Sequence, residues 1–243
     1  MRVLRRWWWV LPLALLLVIG VSVIWAGTPA APMPEALWAV ESDAKVQVET
    51  EPWWVFSPST GEPTAGLVLY PGARVDPRAY APAAHTLAQE GYLVVIAPMP
   101  LNLAILAPDR AADVMTAFPE IDRWAVGGHS LGGAMAARFA YQNPDTVQRL
   151  VLWAAYPAST DDLSGLPLAV TSIYGTRDGL TTGAKITASR ALLPGDTRWV
   201  VIEGGNHAQF GWYGPQPGDG TATVSREEQQ RQIVAATLEL LLR

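Results

Sequence analysis

The chain has 243 residues, half of them hydrophobic, no cysteine and a formal charge of −5. That length accommodates one α/β domain of ordinary size and a short appendage. The acidic balance excludes the basic footprint of a nucleic-acid binder, the missing cysteines exclude disulfides and thiolate chemistry, and three histidines outside any His/Cys/carboxylate cluster argue against a catalytic metal.

Arg2, Arg5 and Arg6 precede an uncharged stretch from Trp7 to Ala26. As a helix, such a stretch covers roughly 30 Å, the thickness of a bilayer core. Trp7, Trp8, Trp9 and Trp25 mark its two ends, where aromatic anchors sit in membranes. Residues 1–26 therefore read as a membrane anchor, with a signal sequence cleaved after Ala26 or Ala30 as the alternative. Arginines ahead of the span keep the N-terminus in the cytoplasm, so both readings export the remainder. Residues 27–34, rich in Pro and Ala, form a semi-rigid linker, and the folded domain is expected over 35–243.

Trp38–Val40, Lys45–Thr50 and Trp53–Phe56 are expected as strands, close enough in sequence to begin the sheet antiparallel. From Gly61 the pattern becomes strand, helix, strand, helix. Strands are expected at Leu67–Tyr70, Leu93–Ala97, Trp124–Val126, Leu150–Ala155, Leu168–Tyr174 and Trp199–Ile202. Helices are expected at Pro77–Glu90, Asp109–Phe118, Leu131–Gln142, Thr182–Leu193 and Glu227–Leu242. This alternation predicts a mostly parallel sheet covered by helices on both faces. The stretch Tyr156–Pro167 is too short to hold a cap domain. Pro98–Pro108, with Met99, Leu101, Leu103, Ile105 and Leu106, reads either as the wall of an acyl pocket or as a helix start packed into the core.

The most informative segment is Gly128-His129-Ser130-Leu131-Gly132, which joins an apolar strand to a helix. A serine on a strand-to-helix turn between glycines is a nucleophile elbow: the tight turn lifts the hydroxyl clear of the backbone, and a side chain at either flank crowds it. The amide of Leu131 then lies at the positive end of a helix, facing a developing oxyanion. A serine hydroxyl needs a base, usually a histidine held by a carboxylate. His85 lies mid-helix, where a packed or surface role is expected, and His129 sits within the elbow with its side chain expected to point away from the base position. His207, in the Gly-rich loop after the last strand, is the expected base. Asp178, at the end of the preceding strand, is the expected acid, with Asp161 and Asp162 as runners-up. A turn aspartate bonding its own backbone is the plainer reading of Asp178. The second oxyanion donor is expected from the turn after Leu67–Tyr70: Pro71 has no N–H, and Ala73 donates beside Gly72. Arg74 is expected as a solvated loop charge or a partner for a substrate carboxylate.

On the elbow, Asp178, His207 and the Tyr70-Pro71-Gly72-Ala73 turn, the chain from about Glu35 to Arg243 resembles the α/β-hydrolases, in their compact capless branch that includes dienelactone-hydrolase-like proteins. The resemblance implies Ser130 as nucleophile, Asp178 as acid and His207 as base, with no cofactor. It departs from dienelactone hydrolases proper, which use Cys as nucleophile, and Pro71-Gly72 stands where many relatives have His-Gly. The expected function is extracytoplasmic cleavage of an ester or related acyl bond in a small-molecule substrate. Acyl transfer, lipase activity and a non-catalytic tethered binding protein are the alternatives.

Overall fold

The computed structural model describes residues 9–243, so the expected features at Arg2, Arg5, Arg6, Trp7 and Trp8 lie outside the described residues. Helix α1 (Val10–Gly27) carries no charge, and its large apolar side chains from Leu11 to Trp25 are exposed, whereas Ala26 is buried. Helix α2 (Pro34–Trp38) follows, where part of a strand was expected. Pro34 in the first turn presets the helical φ, and Glu35 beside it favours the positive helix end. The Trp38–Val40 strand is therefore replaced by the end of a helix and a turn.

Eight strands make one sheet: β1 (Val46–Glu49), β2 (Trp54–Pro58), β3 (Ala65–Tyr70), β4 (Leu93–Ile96), β5 (Arg123–His129), β6 (Arg149–Trp153), β7 (Ala169–Gly175) and β8 (Arg198–Ile202), in the order β1-β2-β4-β3-β5-β6-β7-β8. The β1–β2 and β2–β4 pairs are antiparallel and every later pair is parallel, as the change of pattern after Gly61 predicts. Helices α3 (Ala81–Gln89), α4 (Arg110–Ala117), α5 (Leu131–Gln142), α6 (Gly183–Ser189) and α7 (Arg226–Leu241) complete the chain.

Side chains alternate across the parallel strands and feed two cores. Leu67, Leu69, Val94, Ile96, Val151 and Trp153 join α3 and α7 on one face. Val68, Tyr70, Val95, Val126, Leu150 and Leu152 join α4 and α5 on the other. The central strands are covered on both sides, which explains their unbroken apolar runs.

This register positions the site. Tyr70 pairs with Gly128, so the turn leaving β3 lies beside the end of β5; Gly175 pairs with Ile202, so the loops after β7 and β8 lie together. No cap domain interrupts residues 156–167, which run as turns.

Residues 27–34 are not a free tether. Ala30 makes a parallel bridge with Val75, the Ala30 amide donates to the Arg74 carbonyl at 2.7 Å, and the Asp76 amide donates back to Ala30 at 3.2 Å. Pro32 bridges Tyr213, and the Met33 amide donates to the Trp212 carbonyl at 2.8 Å.

Candidate active site

Ser130 stands between β5 and α5 with φ 53° and ψ −122°, a conformation that a non-glycine residue adopts only at a cost of about 1–3 kcal/mol. The turn is held by the Ser130 amide donating to the Trp153 carbonyl at 3.0 Å and by the Ala134 amide donating to the Ser130 carbonyl at 3.1 Å. The flanking glycines are required by close approach. A Cβ on Gly128 would meet the Tyr70 carbonyl oxygen at 2.6 Å, and one on Gly132 would run into the Tyr70 and Pro71 carbonyls.

Asp178 and His207 come together across the β7 and β8 loops, with His207 Nδ1 2.8 Å from Asp178 Oδ2 and both side chains buried. The other carboxylate oxygen, Oδ1, accepts the amides of Leu180 at 2.8 Å and Thr181 at 2.6 Å. Asp178 is thus a turn aspartate and a histidine partner at once: one oxygen fixes its loop, the other meets the imidazole. His207 Nε2 is buried and has no hydrogen-bond partner among the described residues. Asp161 and Asp162 are not drawn in. Asp161 accepts from the Thr160 hydroxyl, and Asp162 caps the Ser164 amide; the Ser164 hydroxyl, followed by that amide, holds its carboxyl below the usual range. His85 stays on α3, 3.6 Å from Asp43 and edge-on to Phe56.

The turn after β3 leaves one amide open. Pro71 has none, the Gly72 amide donates to the Tyr80 hydroxyl at 2.9 Å, and the Arg74 amide donates to the Asn102 carbonyl at 2.8 Å. Neither the Ala73 amide nor the Leu131 amide at the start of α5 is taken by an acceptor among the described residues. Leu131 there has the field of the helix N-terminus behind it.

Three further residues shape the site without a local pattern to announce them. His129 does not turn away from the base: its ring centroid is 4.5 Å from that of His207, and it stacks on Phe210 at 5.7 Å. Its Nδ1 is 2.8 Å from the Tyr80 hydroxyl, which receives the Gly72 amide. Burial, reinforced by the neighbouring His207, pushes the His129 pKa well below its ordinary value, so the ring is neutral. Burial likewise raises the Tyr80 hydroxyl, which stays protonated.

Asp219 accepts the amides of Gly179, His207, Ala208 and Gly220 at 2.8–3.1 Å, and so ties the Asp178 loop to the His207 loop. The sequence signal is only a turn-forming stretch, Pro215-Gln216-Pro217-Gly218-Asp219-Gly220. Arg74, expected in solvent, donates from Nε to the Trp25 carbonyl at 2.8 Å and from a terminal nitrogen to the Thr28 carbonyl at 2.9 Å. Its guanidinium lies 3.8 Å from the centre of the Trp25 ring. The correction has a physical reason: α1 ends with open carbonyls that a fork of guanidinium donors satisfies.

A groove of about 550 Å³ lies between the end of α1 and the loop after His207, with Trp25, Thr28, Ala73, Arg74, Tyr213 and Pro217 in its walls. A second groove of about 450 Å³ lies between α3 and α7; Ser130, Asp178 and His207 are in the walls of neither, and the first approaches the site through Ala73.

The strand order and the elbow at the end of β5 define an α/β-hydrolase architecture. A family model described as the alpha/beta hydrolase family matches residues 66–231, and the chain belongs to that family. Among solved structures, the apo form of Thermogutta terrifontis esterase 2 aligns with TM-score 0.61 at 14% identity, covering 82% of this chain and 94% of that one. Est1E of Butyrivibrio proteoclasticus with ferulic acid bound gives 0.60 at 14% identity, covering 82% and 100%. A dienelactone hydrolase-like promiscuous phosphotriesterase from metagenomic libraries gives 0.57 at 18% identity, covering 81% and 97%. No match is found among curated protein sequences.

Proposed function

We propose that the chain is a membrane-anchored serine hydrolase that cleaves an ester or related acyl bond outside the cytoplasm. The observation that carries this reading is the buried Asp178–His207 pair, whose remaining imidazole nitrogen has no partner, on the sheet edge that also bears the Ser130 elbow. A base waiting for a hydroxyl proton has this form.

In the first step Ser130 Oγ bonds to the substrate carbonyl carbon while its proton passes to His207 Nε2. The carbonyl electrons move onto oxygen, which the Leu131 and Ala73 amides receive. As the tetrahedral centre collapses, the bond to the leaving group breaks and His207 returns the proton to it. Water then adds to the acyl-enzyme, giving one proton to His207; the bond to Oγ breaks and Ser130 is re-protonated. Asp178 holds the imidazole in the tautomer that both steps need and offsets the charge on the imidazolium.

Retention of the anchor is supported by the hydrogen bonds that Arg74 makes to Trp25 and Thr28, since cleavage after Ala26 or Ala30 removes one or both acceptors. Export rests on Arg2, Arg5 and Arg6 ahead of the apolar span. The test is Ser130→Ala in the full chain, with p-nitrophenyl esters and a fluorophosphonate probe. Turnover is expected to fall by about 10⁴-fold or more and labelling to vanish; labelling that persists in the folded variant rules the assignment out.

A further inference from the structure

The anchor and the catalytic machinery meet at one place. The large apolar side chains of α1 from Leu11 to Trp25 are exposed, so they require an apolar medium that the described residues do not provide. The other end of α1 is welded to the domain. Three hydrogen bonds close carbonyls at its end: Arg74 to Trp25 and to the capping Thr28, and Asn102 Nδ2 to Ala26 at 3.3 Å. Arg74 follows Ala73 directly, so the oxyanion turn lies one residue from the point where the helix ends.

The loop carrying Asn102 presents apolar side chains to solvent. Leu101 is 40% exposed, Ile105 57% and Leu106 52%, all within two short helical turns, Pro100–Asn102 and Ala104–Leu106. Leu101 and Asn102 both have positive φ, 50° and 55°. A leucine held there is under backbone strain. The loop is fixed at its two ends: Asn102 receives the Arg74 amide, and the Tyr70 hydroxyl at the end of β3 donates to Pro108 at 2.7 Å. Outward-facing leucines and isoleucine in such a rigid loop, against the end of an apolar helix, face the same medium as that helix. Tryptophan and arginine at the junction are the residues that suit a membrane–water interface.

We propose that the natural substrate is a lipid-borne acyl ester drawn from the bilayer that α1 spans, with the 99–107 loop seated in the headgroup region and the groove between Trp25 and Pro217 leading to Ala73. This rests on the hydrolase and anchor readings above. The ester group of a lipid lies at the depth where α1 leaves the hydrocarbon, which is the level of the Ala73–Arg74 turn. Substrate therefore reaches Ser130 by lateral diffusion and a short lift, without crossing water as a monomer.

The absence of native cysteine permits a direct test on the full chain reconstituted in phosphatidylcholine–phosphatidylglycerol vesicles. Leu16→Cys and Leu106→Cys are each labelled with an environment-sensitive fluorophore and challenged with shallow and deep doxyl-lipid quenchers. Quenching at both positions is expected, deep at 16 and shallow at 106. In parallel, Ile105→Glu/Leu106→Glu is expected to lower the ratio of vesicle-borne long-chain ester turnover to soluble p-nitrophenyl acetate turnover by about tenfold. A label at 106 that stays in water while the one at 16 is quenched overturns the proposal and leaves the anchor standing. Water at both positions shows that the anchor reading itself fails. A 106 label shielded by a second copy, detected by crosslinking, or an unchanged turnover ratio, also overturns it. Wild-type protein inactive on both esters places the failure in the hydrolase reading instead.

Discussion

The two halves of the site are held by different means. On the histidine side, the loops after β7 and β8 brace each other: Asp178 fixes its own turn, Asp219 spans both loops, and Gln229 on α7 accepts the Asn206 amide at 3.0 Å and donates to its carbonyl at 2.7 Å. On the oxyanion side, the Ala73–Arg74 turn leans on a segment from outside the sheet, the end of α1 and residues 28–33. The Asp178–His207 pair is thus held within the domain, whereas the Ala73–Arg74 turn is held in part by the end of α1. On the proposed anchor reading, only the second half is open to influence from the membrane.

The sharpest way to break the histidine side is Asp178→Asn. It keeps the shape but offers Nδ1 an amide in place of a carboxylate, and kcat is expected to fall about 10³–10⁴-fold in steady-state ester hydrolysis. Asp219→Ala comes next. Four amides lose their acceptor, so stability is expected to drop by about 1–3 kcal/mol in urea unfolding. kcat should fall about 10- to 100-fold as the Asp178–His207 alignment loosens. A variant with wild-type kcat would show that the two loops hold their geometry without the clamp.

Arg74→Gln probes the other half. It releases Trp25 and Thr28 while leaving the Asp178–His207 pair untouched, so kcat is expected to fall about three- to tenfold with an unchanged pH–rate profile. A displaced profile would mean that the two halves are not independent. The smallest effect concerns His129, which belongs to both halves through Tyr80 and His207. Its folded pKa is depressed, so its contribution to stability is complete above about pH 6.5 and is lost as pH falls from there toward the lower folded value. His129→Gln should therefore flatten the acid limb of urea midpoint against pH; an unaltered limb would assign that slope to other groups.

The contrast between the halves also explains what could be read from the chain. The parallel sheet, the elbow and the Asp178–His207 encounter follow from local signals: apolar runs, flanking glycines, turn residues at strand ends. Those signals carry the histidine side because its partners sit at the ends of neighbouring strands. Asp219 has no such signal, because its acceptor role depends on where a 40-residue-distant turn returns. Arg74 was equally silent, since its partners are backbone carbonyls of a helix whose docking no periodicity encodes. His129 misled for a related reason. A side chain flanking an elbow turns away from the nucleophile's own direction, yet β8 brings the base round to meet it. At Trp38, Pro34 and the Met33–Trp212 bond outweighed the β-propensity of Trp and Val.

The Ala30–Val75 bridge sets a clock during synthesis. Residues 25–30 leave the ribosome well before Arg74 and Val75, and at about 5–20 residues per second the intervening chain takes roughly 2–9 s to make. Until then the peptide bonds after Ala26 and Ala30 are bare; once β3 and its turn arrive, the same bonds lie beneath hydrogen bonds and a guanidinium. A peptidase that is to free this domain must act inside that interval. On the proposed anchor reading, the folded protein then stays where its helix was placed.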